Sequence, residues 1–214
     1  MKTFSDSLAL VISYLFHPLF MPTNGLLVIY FFGSLPGFNK YSTDLDKSLV
    51  FFTITIVFVA TSLLPVIIAV ILKKTGLITS LSMPIKEERS IPFILTSFCY
   101  FGAYYYLRYY LDLPINRLIY YFIFFGVFAT VLGFFITLSW KISIHMIGIG
   151  GLVGILTLLS KNGDQDLFLP LMASVITAGL IGFGRLQLRA HNIKQIIAGF
   201  VIGFGSEVIG LFVL

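Results

Sequence analysis

Seven apolar runs, too long and too many for one protein core to absorb, decide what this 214-residue chain can fold into. They cover about 8–33, 49–72, 91–111, 117–139, 145–160, 167–184 and 194–214, near the roughly 17–25 residues that a helix needs to cross a bilayer. Lipid offers no hydrogen bonds, so a backbone immersed in it must satisfy its own N–H and C=O groups, which an α-helix does within one segment. Composition agrees: 58% of the residues are hydrophobic and 11% charged, against about 25% charged in soluble domains. The expected fold is an all-α integral membrane protein, a bundle of six to seven transmembrane helices forming one domain over 1–214. The first run contains Pro18, Pro22 and Asn24. Proline breaks or kinks a helix, so this run is either a kinked span or an interfacial or re-entrant piece beside six others.

The connections between runs are short and carry the Gly, Pro, Asn and Asp that punctuate turns. Small residues recur at helical spacing in Gly150 with Gly154 and Gly199 with Gly203, a pattern that lets helix backbones approach closely. Tyr104, Tyr105, Tyr106, Tyr109 and Tyr110 close the third run and Trp140 closes the fourth, as aromatic belts do at membrane interfaces. One cysteine, Cys99, excludes an internal disulfide. The opening stretch reads as a retained anchor, because His17-Pro18 stands where a signal peptide needs small residues. The formal charge of +5 is scattered among apolar runs and forms no solvated stripe. Membrane lipids and an anionic lipid or phosphate are the expected partners, and nucleic acid is not.

Ionisable residues beside apolar spans are costly and therefore carry functional hypotheses. Three groups stand out: Lys86, Arg89 and Pro92; Lys141, Ser143 and His145; and Arg185, Arg189 and His191. Two spans separate each group from the next, so all three return to one face of the membrane. Together they offer cations, two imidazoles and a hydroxyl, with no carboxylate pair and no thiol. Guanidinium donors match phosphate oxygens and lysine adds a point charge. One neutral imidazole can attack phosphorus while a protonated one serves the leaving oxygen. Two histidines alone make a poor metal site, so neither metal nor other cofactor is expected.

These residues resemble the motifs of the type 2 phosphatidic acid phosphatase (PAP2) superfamily of membrane phosphatases over about 86–214. The third motif of that family reads here as Gly184-Arg185, five residues, His191, three residues, Gln195; the second survives as Ser143-Ile144-His145; the first is compressed to Lys86, Arg89 and Pro92. The resemblance implies a PAP2-like core in a bacterial inner membrane, with His191 the nucleophile that forms a phosphohistidine and His145 the acid for the leaving group. It implies that Lys86, Arg89, Ser143 and Arg185 bind phosphoryl oxygens and that Gln195, standing where the family has an aspartate, orients His191. The expected substrate is a lipid phosphate, with phosphatidic acid, phosphatidylglycerol phosphate and polyprenyl diphosphate as candidates. A protein that binds or moves such lipids without hydrolysing them is the alternative.

Blander roles accompany these. His17 suits a cap or kink beside Pro18; Lys73, Lys74, Arg189 and Lys194 suit lipid headgroups. Glu87 and Glu88 can pair with Lys86 and Arg89. Glu207 falls roughly 18 Å along the last helix from Gln195, too far to replace the aspartate. Asn192 with Gln195 reads as a capping box, which would engage Gln195 with the helix start.

Overall fold

The computed structural model describes residues 4–81, 83, 87–111, 113, 115–161 and 165–210. Every regular element among them is helical: α1 (Phe4–Leu15), α2 (Met21–Phe32), α3 (Asp44–Phe58), α4 (Leu64–Lys74), α5 (Ser90–Tyr105), α6 (Arg117–Ser139), α7 (Ile144–Lys161), α8 (Phe168–Gln187) and α9 (Ile193–Ile209), with short 3₁₀ and π turns between some of them. Among the described residues five helical stretches are long and apolar enough to cross a membrane: Phe4–Phe32, Asp44–Lys74, Arg117–Ser139, Ile144–Lys161 and Phe168–Gln187. The third and seventh sequence runs are helical as well, α5 leading directly into the π segment Tyr106–Tyr110 and α9 covering Ile193–Ile209, but neither is among those five.

The first stretch is broken where its prolines stand. α1 ends at Leu15, a 3₁₀ turn covers Pro18–Phe20, and α2 starts at Met21. His17 caps that turn, its Nδ1 accepting from the Leu19 N–H at 3.4 Å. The Leu19 carbonyl lies just ahead of Pro22, which has no N–H to offer. A π segment, Val59–Leu63, joins α3 to α4 and turns Ser62 inward, where its hydroxyl donates to Leu19 O at 2.8 Å. The break in one span is thus satisfied by a bulge in the next, as apolar surroundings require.

α7 is the hub. It is the most buried of the five stretches, 61% of its apolar window lying inside the protein, and it packs on α2, α6, α8 and α9. Its tightest neighbour is α9, and glycine is the reason. A Cβ on Gly203 would strike the Ile147 carbonyl oxygen, and one on Gly199 would lie 2.6 Å from Ser143 O. On the facing helix a Cβ on Gly154 would lie 2.8 Å from Phe204 O. Apolar side chains gain nothing by leaving lipid for one another, so close backbone contact is what holds such helices together.

Chain direction alternates through α5, α6, α7, α8 and α9. The segments before α5, after α6, before α7 and between α8 and α9 therefore gather at one end of the bundle. Trp140, 39% exposed, marks that end. Tyr105, Tyr106, Tyr109 and Tyr110 lie exposed at the other, with the Arg108 guanidinium 5.5 Å from the Tyr109 and Tyr120 ring centres. The 23 residues of α6 join the two belts, a rise of about 34 Å at 1.5 Å per residue, enough for a bilayer core of about 30 Å.

Gly203→Ala should lower the midpoint of thermal unfolding in detergent, because overpacking costs about 1–3 kcal/mol. Gly205→Ala, where a Cβ meets nothing within 4 Å, should leave the midpoint unchanged or raise it. Equal midpoints for Gly203→Ala and the parent protein would remove the backbone contact as the holding interaction.

Candidate functional site

The turn between α8 and α9 is built by a helix terminator. Arg189 takes a left-handed conformation, φ +50°, which glycine usually supplies and which costs another residue roughly 1–2 kcal/mol. In return the Ala190 N–H reaches Arg185 O at 3.0 Å and the Arg189 N–H reaches Leu186 O at 2.8 Å, the paired bonds of a Schellman motif. The His191 N–H also donates to Arg185 O, at 3.3 Å. Five intervening residues thereby bring His191 back onto the last turn of α8, beside Arg185.

From there α9 starts with a capping box. The Gln195 N–H donates to Asn192 Oδ1 at 3.0 Å, and the Asn192 N–H donates to Gln195 Oε1 at 3.2 Å. The same Oε1 lies 3.1 Å from His191 Nδ1. The cap and orienting readings of Gln195 are therefore compatible, because one oxygen serves both. The backbone N–H of Asn192 can only donate, so the amide atom facing it is the oxygen and His191 Nδ1 must be the donor towards it. In the neutral ring this leaves Nε2 with its lone pair free.

Burial pushes the His191 pKa down to about 4; the Gln195 bond acts upward, and Arg185, Lys141 and Arg89 act downward. Among the described residues, the charged groups that act on this ring are the cations Arg185, Lys141 and Arg89. Lys141 is held below the ordinary ammonium range by burial first, then by Arg89 and Arg185, and Arg89 is lowered by burial. Arg89, Lys141, Arg185 and His191 come from the three sequence clusters, and the fold brings them within electrostatic reach of one another.

Arg185 donates through Nη1 to Ser13 Oγ at 3.3 Å, while its Nε is buried without a hydrogen-bond partner. Ser143 is fully buried, and its hydroxyl also lacks a partner; its N–H approaches Gln195 O at 3.4 Å, tying the start of α7 to the first turn of α9. His145 donates its Nε2–H to Ser13 O at 3.2 Å, which leaves Nδ1 as the atom able to gain or lose a proton. Arg89 donates through Nε to Met83 O at 2.8 Å. Lys86 lies outside the described residues. The Glu88 carboxylate is engaged by the Thr79 N–H and hydroxyl, at 3.0 and 3.1 Å. Glu207 is 3% exposed in α9, against Gly151 and Gly154 of α7 and away from these groups. Among the described residues no three of His, Cys, Asp and Glu come together as metal ligands.

Two residues at this site were not among the expected ones. Ser13 of α1 receives both Arg185 and His145, and nothing in its sequence surroundings announces it. His17 is a cap, as expected, but it is not alone: its ring stands edge-on to His145, with centres 5.4 Å apart. α1 reaches the same helix end elsewhere, where Gln187 Nε2 donates to Ser5 Oγ at 3.2 Å and to Asp6 Oδ1 at 3.0 Å. No protein-family model, curated protein or solved structure matches this chain.

A pKa of about 4 keeps the His191 ring neutral at pH 5. Diethyl pyrocarbonate acylates only unprotonated imidazole, so His191 should react at pH 5 at nearly its pH 7 rate, after correction for the reagent. An imidazole of ordinary pKa, about 6.5, would slow about 25-fold over that interval, and such a fall would contradict the shielded, cation-surrounded environment.

Proposed function

We propose that this chain is a metal-independent lipid-phosphate phosphatase that works through a phosphohistidine. The observation that carries the reading is the His191 ring: Nδ1–H is fixed on Gln195 Oε1, Nε2 is left as a base, and the charges acting on it are cationic. Support also comes from the unpartnered Ser143 hydroxyl and Arg185 Nε, since buried donors are normally paired and phosphate oxygens would supply acceptors.

The chemistry follows from these roles. Arg89, Arg185 and Ser143, with Lys86 and Lys141 adding charge, hold the phosphoryl oxygens and stabilise the transition state. His191 Nε2 attacks phosphorus; an N–P bond forms as the bond to the leaving oxygen breaks. His145, its Nε2–H held by Ser13, takes a proton at Nδ1 from the incoming singly protonated phosphate group and passes it to the departing alcohol or phosphate. Water then attacks the phosphohistidine, His145 takes its proton, and inorganic phosphate leaves. The same reading implies a PAP2-like core in which α5 and α9 also cross, giving six to seven spans, in a bacterial inner membrane.

One feature favours the second reading, a weak or inactive protein that binds or moves lipid phosphates. Gln195 orients His191 but brings no negative charge to stabilise a positive ring. Loss of the carboxylate in a serine-protease relay costs about ten-thousand-fold, mainly through the wrong tautomer. Here the tautomer is already set, so the cost should be smaller.

Incubation with radiolabelled phosphatidic acid, phosphatidylglycerol phosphate and polyprenyl diphosphate should release phosphate and leave acid-labile label on the protein, and His191→Ala should lose both. Gln195→Glu keeps the side-chain length and adds the charge; it should raise release about tenfold, equivalent to about 1.4 kcal/mol of barrier, whereas Gln195→Ala should lower it. Undiminished release by His191→Ala excludes the mechanism. Binding of these lipids without any release establishes the second reading.

A further inference from the structure

Between α5 and α6 lies a groove of about 250 Å³, lined chiefly by Ile94, Phe98 and Phe101 on one side and Val127, Val131 and Phe135 on the other. Ile94, Phe98, Phe101 and Phe135 are exposed on the outer surface, so the groove opens where lipid surrounds the protein. Its one hydroxyl, Ser97 Oγ, donates to Phe93 O at 3.0 Å. The groove therefore offers packing and little polar recognition.

Its position in the helices gives it meaning. α5 starts immediately after Arg89, and the antiparallel α6 ends two residues before Lys141. Ile94 is five positions beyond Arg89 and Phe135 six before Lys141, roughly 8 and 9 Å along their helices at 1.5 Å per residue. Phe101 and Val127, 12 and 14 positions away, lie roughly 18 and 21 Å along. The groove thus runs away from the two cations toward the middle of a bilayer core of about 30 Å. Arg89 and Lys141 stand beyond the near end of the groove, next to the helix ends that flank it, and Arg89 acts electrostatically on Lys141, so two positive charges lie past that end, its mouth.

We propose that this groove seats one hydrocarbon chain of a phosphate-bearing lipid whose headgroup is held by Arg89 and Lys141. The proposal rests on the lipid-phosphate reading above and adds the route by which such a lipid is held: phosphate at the mouth, chain between α5 and α6. A chain gains no hydrophobic energy by moving from bilayer to groove, because acyl chains are as apolar as the lining. The selection lies at the mouth, where a phosphate monoester meets two cations that a zwitterionic headgroup meets with its own positive charge attached. A partner helix, about 10 Å across with its side chains, is too wide for a slot of this volume.

The test uses the full chain in phosphatidylcholine nanodiscs doped with phosphatidic acid carrying a diazirine midway along one acyl chain. After photolysis and peptide mapping, label should concentrate on groove residues of α5 and α6. Unlabelled phosphatidic acid should compete it away, and phosphatidylcholine should not. Val131→Phe fills the groove and should cut the labelling severalfold; Ile94→Trp, at an exposed position, gives a second blocking variant should the first not fold. Label spread evenly over the lipid-facing helices, or equal groove labelling by a diazirine phosphatidylcholine, overturns the proposal. Turnover is not required, and His191→Ala should label like the parent protein. Groove labelling without phosphate release from any lipid therefore removes the phosphatase reading alone, whereas release with evenly spread label removes the groove alone.

Discussion

The contact on which the site depends is the glycine-mediated approach of α7 to α9. A Cβ at Gly199 or Gly203 would run into the backbone of α7 at Ser143 and Ile147. Because those glycines are the seventh and eleventh residues of α9 and meet the start of α7, the approach also sets the distance between the residues at the two helix starts. Ser143 and His145 precede or open α7; His191 and Gln195 precede or open α9. Separate these helices by one methyl group, and the Ser143 N–H loses Gln195 O while the two imidazoles move apart. In lipid no hydrophobic force would draw them back together.

The second constraint is electrostatic. Cations crowded at one end of an apolar bundle repel one another, and low polarity strengthens that repulsion. On the proposed reading a bound phosphate is the complement of this crowding. Burial first, and the same crowding after it, keep His191 neutral, so on that reading the site that would attract a phosphate also preserves the lone pair that would attack it. A carboxylate at position 195 would raise the basicity of the ring and oppose this effect; the amide orients the ring and leaves it poorly basic.

Much of this was legible in the sequence, for reasons that differ by residue. The helical runs were visible because lipid permits so few backbone solutions, and the ends of α6 and α7 fall within one residue of the apolar runs. The return of three clusters to one end followed from counting crossings. The Gly150, Gly154, Gly199 and Gly203 pattern pointed to close packing, and the structure places these glycines at the α7–α9 contact. Ser13 and the His17–His145 contact were not legible. They depend on how α1 meets the ends of α7 and α8, a long-range choice that no local pattern encodes. The double use of Gln195 Oε1 was hidden for a related reason: spacing alone supported a cap or an orienting bond, and only coordinates show one oxygen within reach of both donors.

The central claim is that this end of the bundle is an anion site assembled from α5, α7, α8 and α9 and the segments around them. Calorimetric titration of the purified protein with orthovanadate, a phosphate analogue, tests it without a lipid and without turnover. The account predicts one saturable site per chain, weakened by added salt and lost in the Lys141→Gln, Arg185→Gln double variant while that variant stays folded. Absence of binding, or binding that persists unchanged in the double variant, would contradict it.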